Sequence, residues 1–184
     1  MAWIEVVTER RGKEMGGVDM WRRQRAQLTQ RVESLRQQGI CDTCYDLDTG
    51  GALYGAADIL YEDDLFKVKL EQYPRAYGHT IVLYKPHRAD LSELSEEEAS
   101  LVFPLCLRVV RAIKQALGAE KVYLVTMCDG TLTHLHLQLL PRYDGETIGS
   151  TRFVAERRPL TEGETLTPRI RAALERSTDS HTSA

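Results

Sequence analysis

Residues 133–140, THLHLQLL, alternate polar and apolar side chains without a break. Such alternation marks a β-strand, because successive side chains point to opposite faces. His134, His136 and Gln138 then share one face, and Leu135, Leu137 and Leu139 share the other. The leucines fill the core side, so the polar trio lines the opposite one. A lone buried histidine reads most simply as a satisfied core residue. Three such residues in a row, where a solvated face would carry Lys, Glu and Thr, point to a functional site.

The neighbouring segments say what this strand belongs to. Residues 18–38 have helical periodicity, with Trp21, Leu28, Val32 and Leu35 on one stripe and Gly39 placed to end it. CDTCYDLDTGG, residues 41–51, reads as a turn-rich loop. FKVKLE (66–71) and GHTIVLY (78–84) read as two strands of a hairpin, with Pro86 ending the second. A long helix follows: Ser95 is a good N-cap, Glu98 completes a capping box, and Gly118 ends it. Its expected buried stripe is Leu101, Leu105, Val109, Ile113 and Leu117, and Pro104 should kink it or remove one backbone bond. KVYLVTMC (121–128) is a strand, DGT a turn, and THLHLQLL a strand that stops at Pro141. A short helix is expected at 168–176 and a disordered polar tail at 177–184. Paired strands around a helix predict an α+β fold, an antiparallel sheet with helices packed on one face. The domain plan is a helical extension over 1–40, a main domain over 41–145, a packed extension over 146–176, and the tail.

Charge and cysteine content narrow the function. The chain has 184 residues and a net charge of −3, which disfavours a general nucleic-acid surface. The clusters Arg22, Arg23, Arg25 and Arg157, Arg158 are diluted by acidic neighbours and read as solvated faces. There is no apolar run of about 18 residues to span a membrane, and MAWIEVVTERRGKE does not read as a secretory signal. A cytoplasmic location is expected, where disulfides are rare. Cys106 and Cys128 then read as buried apolar residues, and Cys41 and Cys44 as a C-x-x-C pair. That pair suits a metal, although a C-x-x-C without metal is the alternative. A thioredoxin-like role is weaker, because no βαβ unit follows.

HLHLQLL resembles the motif of the histidine triad (HIT) superfamily, His-φ-His-φ-His-φ-φ with φ apolar, its third histidine replaced by Gln138. That variant resembles the branch holding galactose-1-phosphate uridylyltransferase and the diadenosine tetraphosphate phosphorylases. GHTIVLYKPHRADLSEL resembles the family's G-H-T strand, the following turn and the start of its long helix. The resemblance covers roughly residues 41–143, and the two motifs in order are specific.

The resemblance implies an enzyme in which His136 attacks the α-phosphorus of a nucleotide and forms a covalent nucleotidyl-histidine. Gln138 would donate a hydrogen bond to a phosphate oxygen but cannot deliver a proton. A P–O–P substrate is therefore favoured over a phosphoramidate, and transfer to a phosphate acceptor over hydrolysis. Dinucleoside polyphosphates are the first expected substrates and nucleotide sugars the second, since the chain is short for a two-lobed uridylyltransferase. Gly130 and Thr131 are expected at the phosphates; TRFVAERR (151–158) either brings Arg152, Arg157 or Arg158 near them or covers the sheet edge. Glu71 is expected at the ribose, where Asp is usual; a solvent-facing strand-end residue is the alternative. Cys41, Cys44, His87 and His134 match the family's structural zinc ligands, two thiolates and two imidazoles that leave no open position. His79 is expected to be a structural hydrogen-bonding residue, and a homodimer is the family expectation. The rival reading is a nucleotide-binding, zinc-stabilised interaction module without turnover, using the Trp21 stripe.

Overall fold

The computed structural model describes residues 2–130 and 132–179. The chain forms two units, Met1–Asp42 and Thr43–Ala184. The first is a single helix, α1 (Ala2–Gln37), and the turn after it. This helix starts well ahead of the expected residue 18, since an established helix extends at little cost per residue. Trp21, Leu28, Val32 and Leu35 are all half-buried, as their spacing requires of one stripe. Gly39 takes the left-handed conformation just beyond the helix, with φ 75°. Arg36 closes the turn through a 2.9 Å ion pair to Asp42.

A short helix, α2 (Asp42–Asp48), replaces the expected loop. The Asp46 carboxylate accepts from Leu53 N and Tyr54 N at 2.8 and 2.6 Å and ties the Gly-rich segment back onto the helix. The sheet follows, with strands β1 (Ile59–Glu62), β2 (Phe66–Leu70), β3 (Thr80–Tyr84), β4 (Lys121–Val125) and β5 (His136–Arg142). Their spatial order is β1-β2-β3-β5-β4, and every neighbouring pair is antiparallel. α3 (Glu96–Leu117) crosses between β3 and β4, and α4 (Gly163–Asp179) follows the sheet.

Registers assign the two faces. Lys69, Ile81, Gln138 and Val125 form one transverse row; Lys67, Leu83 and His136 form the next on the same face. The opposite face carries Val68, Val82 and Leu137, then Leu70 and Leu139, and packs on both long helices. α3 contributes Val102, Leu105, Cys106, Val109, Ala112 and Ile113, and α4 contributes Leu166, Ile170, Ala173 and Leu174. Fully burying each large aliphatic side chain is worth about 1.5–3 kcal/mol, so this face holds the fold together. Burial pushes the Cys106 thiol up to about 12, which leaves it inert.

Several expected boundaries move. Leu101 is 48% exposed, and Val102 takes its place in the core. Steps of four residues drift around a helix by about 40° each, so a stripe centred on Val109 no longer includes residue 101. The capping box of Ser95 and Glu98 forms, and Gly118 ends α3 at φ 73°. Pro104 lies inside α3 on its exposed side, where the carbonyl it leaves without a partner meets water. β4 is shorter than expected, ending at Val125.

β5 opens at His136 rather than 133 and runs through Pro141, which pairs with Val122. Pairing with β3 has ended at Leu139, and the Pro141 carbonyl is taken by Arg152 Nη1 at 3.0 Å. The proline's missing donor therefore costs no ladder bond. β1 was not legible as a strand. α4 starts earlier than expected and includes residues 177–179 of the supposed tail; the rest of the tail, with His181, lies outside the described residues.

Candidate functional site

Gly78 opens the site. Its φ is 73°, and a Cβ there would collide with Leu117 Cδ1. The glycine delivers His79 into the fold at 1% exposure. His79 Nδ1 accepts the Arg75 backbone N–H at 3.2 Å. Burial first, and the nearby Arg157 and Arg75 guanidiniums second, pull the His79 pKa down to about 4 against the pull of Glu71, so the ring is neutral near pH 7.

β5 carries the expected pair. His136 Nδ1 lies 3.0 Å from the His134 carbonyl. A carbonyl only accepts, so the proton sits on Nδ1 and Nε2 keeps its lone pair. Gln138, 3% exposed, places its amide nitrogen 3.5 Å from that Nε2. The pleat puts both side chains on the face away from α3 and α4. On the same face, burial lowers the Lys69 pKa, and its ammonium donates to the Tyr54 and Gly55 carbonyls at 2.8 and 2.9 Å.

His134 lies just before β5 and serves a different group. Its Nε2 donates to the Tyr84 carbonyl at 2.7 Å, which leaves Nδ1 as a donor atom 3.4 Å from Cys44 Sγ. His87 Nδ1 is also 3.4 Å from Cys44 Sγ. The ligand atoms of Cys44, His87 and His134 lie within 4.8 Å of one another. Cys41 stands three residues ahead of Cys44, immediately before α2. Two sulfurs and two imidazole nitrogens are the donor set of a closed tetrahedral metal site, and the Tyr84 carbonyl fixes the tautomer that such a site needs. The group is suited to hold a metal ion.

The remaining expected residues fare differently. Glu71, half-buried, engages both oxygens: Oε1 accepts Tyr73 N–H at 3.0 Å, and Oε2 pairs with Arg157 at 3.4 Å. Gly130 is exposed with φ 106°. Thr131 lies outside the described residues.

Cys128 was not read from the sequence as part of this site, and Arg157 was read without its partner. Cys128 is half-buried rather than buried, and its thiol reaches the same His134 carbonyl at 3.9 Å. The segment after Val154 straps the β2–β3 connection: Leu160 N bonds Gln72 O at 2.9 Å, and Arg75 Nη1 bonds Ala155 O at 2.7 Å. That strap delivers Arg157 to Glu71. Its sequence has no periodicity that would reveal such a partner.

Comparison with known proteins agrees with this geometry. The HIT domain family model matches residues 55–145. An uncharacterized HIT-like protein of Synechococcus elongatus is 36% identical over 89 residues, which are 46% of this chain and 77% of that protein. The chain belongs to the HIT family. Adenosine 5'-monophosphoramidase hnt1 of Schizosaccharomyces pombe is 32% identical over 92 residues, 47% of this chain and 65% of that protein. A zinc-bound histidine triad family protein of Mycobacterium smegmatis superposes with a TM-score of 0.61 at 25% identity, covering 76% of this chain and 96% of that one. The family includes hydrolases, and the α+β sheet seen here is its fold. Among the described residues, no helix is long and apolar enough to cross a membrane.

Proposed function

We propose that the chain is a nucleotidyl transferase or hydrolase that cleaves a phosphoanhydride at a nucleoside α-phosphate. The observation that carries this reading is the 3.0 Å contact between His136 Nδ1 and the His134 carbonyl, which leaves Nε2 as a free nucleophile beside the Gln138 amide. His136 Nε2 forms a bond to the α-phosphorus, and the bridging P–O bond breaks with its electron pair leaving on the departing phosphate. Phosphate or water then attacks the nucleotidyl-histidine and frees the ring. Gln138 donates a hydrogen bond to a non-bridging oxygen as charge builds there.

Gln138 also shapes the substrate range. The monophosphoramidase activity named for the fission-yeast relative expels an amine, which needs a proton. A carboxamide cannot give one, whereas a phosphate leaves without it. Dinucleoside polyphosphates therefore fit first and nucleotide sugars second. Glu71, with Arg157 beside it, and Gly130 and Thr131 are assigned to the ribose and phosphates.

Cys41, Cys44, His87 and His134 would hold a structural zinc, which brings the strand ends together and takes no part in the displacement. We assign the working form to a homodimer. Leu101, Phe103 and Leu107 are exposed on α3, and β4 is an edge strand with Leu124 exposed, a surface that a second copy would cover.

The test is turnover of dinucleoside polyphosphates and nucleotide sugars with and without added phosphate, together with trapping of an acid-labile nucleotidyl adduct. Phosphate-dependent turnover identifies a phosphorylase. Adduct formation and turnover that survive His136→Ala would overturn the assignment, and binding without turnover across the panel would make the chain a binding module.

A further inference from the structure

A chain of hydrogen-bonding groups runs through the site, and both of its ends have fixed roles. At one end is the Arg75 backbone N–H, which only donates; at the other is the His134 carbonyl, which only accepts. Roles propagate inward from each. Because His79 Nδ1 accepts from Arg75, the single proton of the neutral ring sits on Nε2. His79 Nε2 and the Gln138 carbonyl oxygen are both buried, and each lacks a hydrogen-bond partner. The register that pairs Thr80 with Leu139 sets His79, one residue before β3, and Gln138 on the same face of neighbouring chain segments, so the unpartnered donor and the unpartnered acceptor are complementary neighbours. From the other end, the His134 carbonyl fixes the proton of His136 on Nδ1. The two sequences of roles meet at Gln138 and His136, where the amide nitrogen faces the free Nε2 at 3.5 Å.

We infer that His79 is the positioning residue that locks the Gln138 amide in one orientation, carbonyl toward His79 and NH2 toward His136 and the reacting phosphate. This deepens the proposed function and rests on it for its kinetic consequence, but the orientation itself does not. An unlocked carboxamide can rotate and present its oxygen to the phosphate, where an acceptor repels. A locked one presents only donors. Gly78 belongs to the same device: its left-handed backbone and the Leu117 contact set where His79 enters.

Two measurements test the inference. Long-range proton–nitrogen spectra of histidine-labelled protein read the tautomer of each ring without any need for turnover. His79 is expected as the Nε2–H tautomer, with its Nε2 resonance moving on Gln138→Ala. An Nδ1–H tautomer, or a resonance indifferent to Gln138→Ala, overturns the proposal. The second measurement is a kinetic cycle of His79→Asn, Gln138→Ala and the double variant, each checked for native melting. His79→Asn is expected to lower kcat by about 10-fold with KM little changed, and the double variant to be no slower than Gln138→Ala alone. Losses that multiply in the double variant mean that His79 acts independently of Gln138, and that result overturns it. If the wild-type chain turns nothing over, the functional reading fails while the spectra still decide the orientation.

Discussion

The two faces of the β2–β3–β5 sheet come from the same alternating residues and are governed by different physics. One packs Val68, Val82, Leu137 and Leu139 against α3 and α4, and almost any apolar residue of similar volume would serve. The other carries Lys67, Lys69, His136 and Gln138, where the Lys69 ammonium and His136 Nδ1 are set by the carbonyls they meet. Stability is concentrated on the first face and the proposed chemistry on the second. Their separation, one residue apart along β5, lets a single strand do both.

Leu137→Ala breaks that comparison hardest. Leu137 is fully buried, so truncation should cost about 2–5 kcal/mol, read from urea unfolding. His136→Ala, its neighbour, should change stability by less than about 1 kcal/mol while removing turnover. If both variants melt alike, the division between the faces is wrong.

A smaller effect should appear with pH. The folded chain keeps His79 neutral down to about pH 4, whereas an unperturbed histidine titrates at 6.5. The unfolded state therefore takes up the proton first as pH falls. The stability that His79 contributes is complete above pH 6.5 and is lost as pH drops through about 4. The loss across that window should be about 3 kcal/mol. It is measured as the difference between wild type and His79→Asn in unfolding at a series of pH values; parallel curves would remove His79 from the account.

The smallest effect is expected at the rim. The Arg157–Glu71 pair is partly exposed, at 18% and 20% for the two side chains, with 3.4 Å between its atoms. Arg157→Ala should cost about 1 kcal/mol or less, measured by thermal melting. A larger loss would mean that the strap and not the pair holds this edge.

Legibility in the sequence followed the range of the interactions. The shared face of His136 and Gln138 was readable because a strand's period is local, whereas His134 lies ahead of β5 and turns to the cysteine group. The capping box of α3 was readable because Ser95 and Glu98 lie three residues apart. The pairing of Arg157 with Glu71 was not, because the two are remote in sequence. Pro141 misled because its effect on a strand depends on whether β3 still runs alongside. β1 and α2 are short, with too few residues to show a period.

His134 has a consequence of another kind. Its ring belongs with the thiols of the metal group, while its carbonyl holds the proton of His136. The atom that would ready His136 for the proposed attack is thus main chain, and every amino acid placed at position 134 still supplies it. Alanine scanning will score this position for its ring alone. Only replacement of the peptide bond itself, as by an ester linkage that weakens the acceptor, would expose how much the reaction owes to that oxygen.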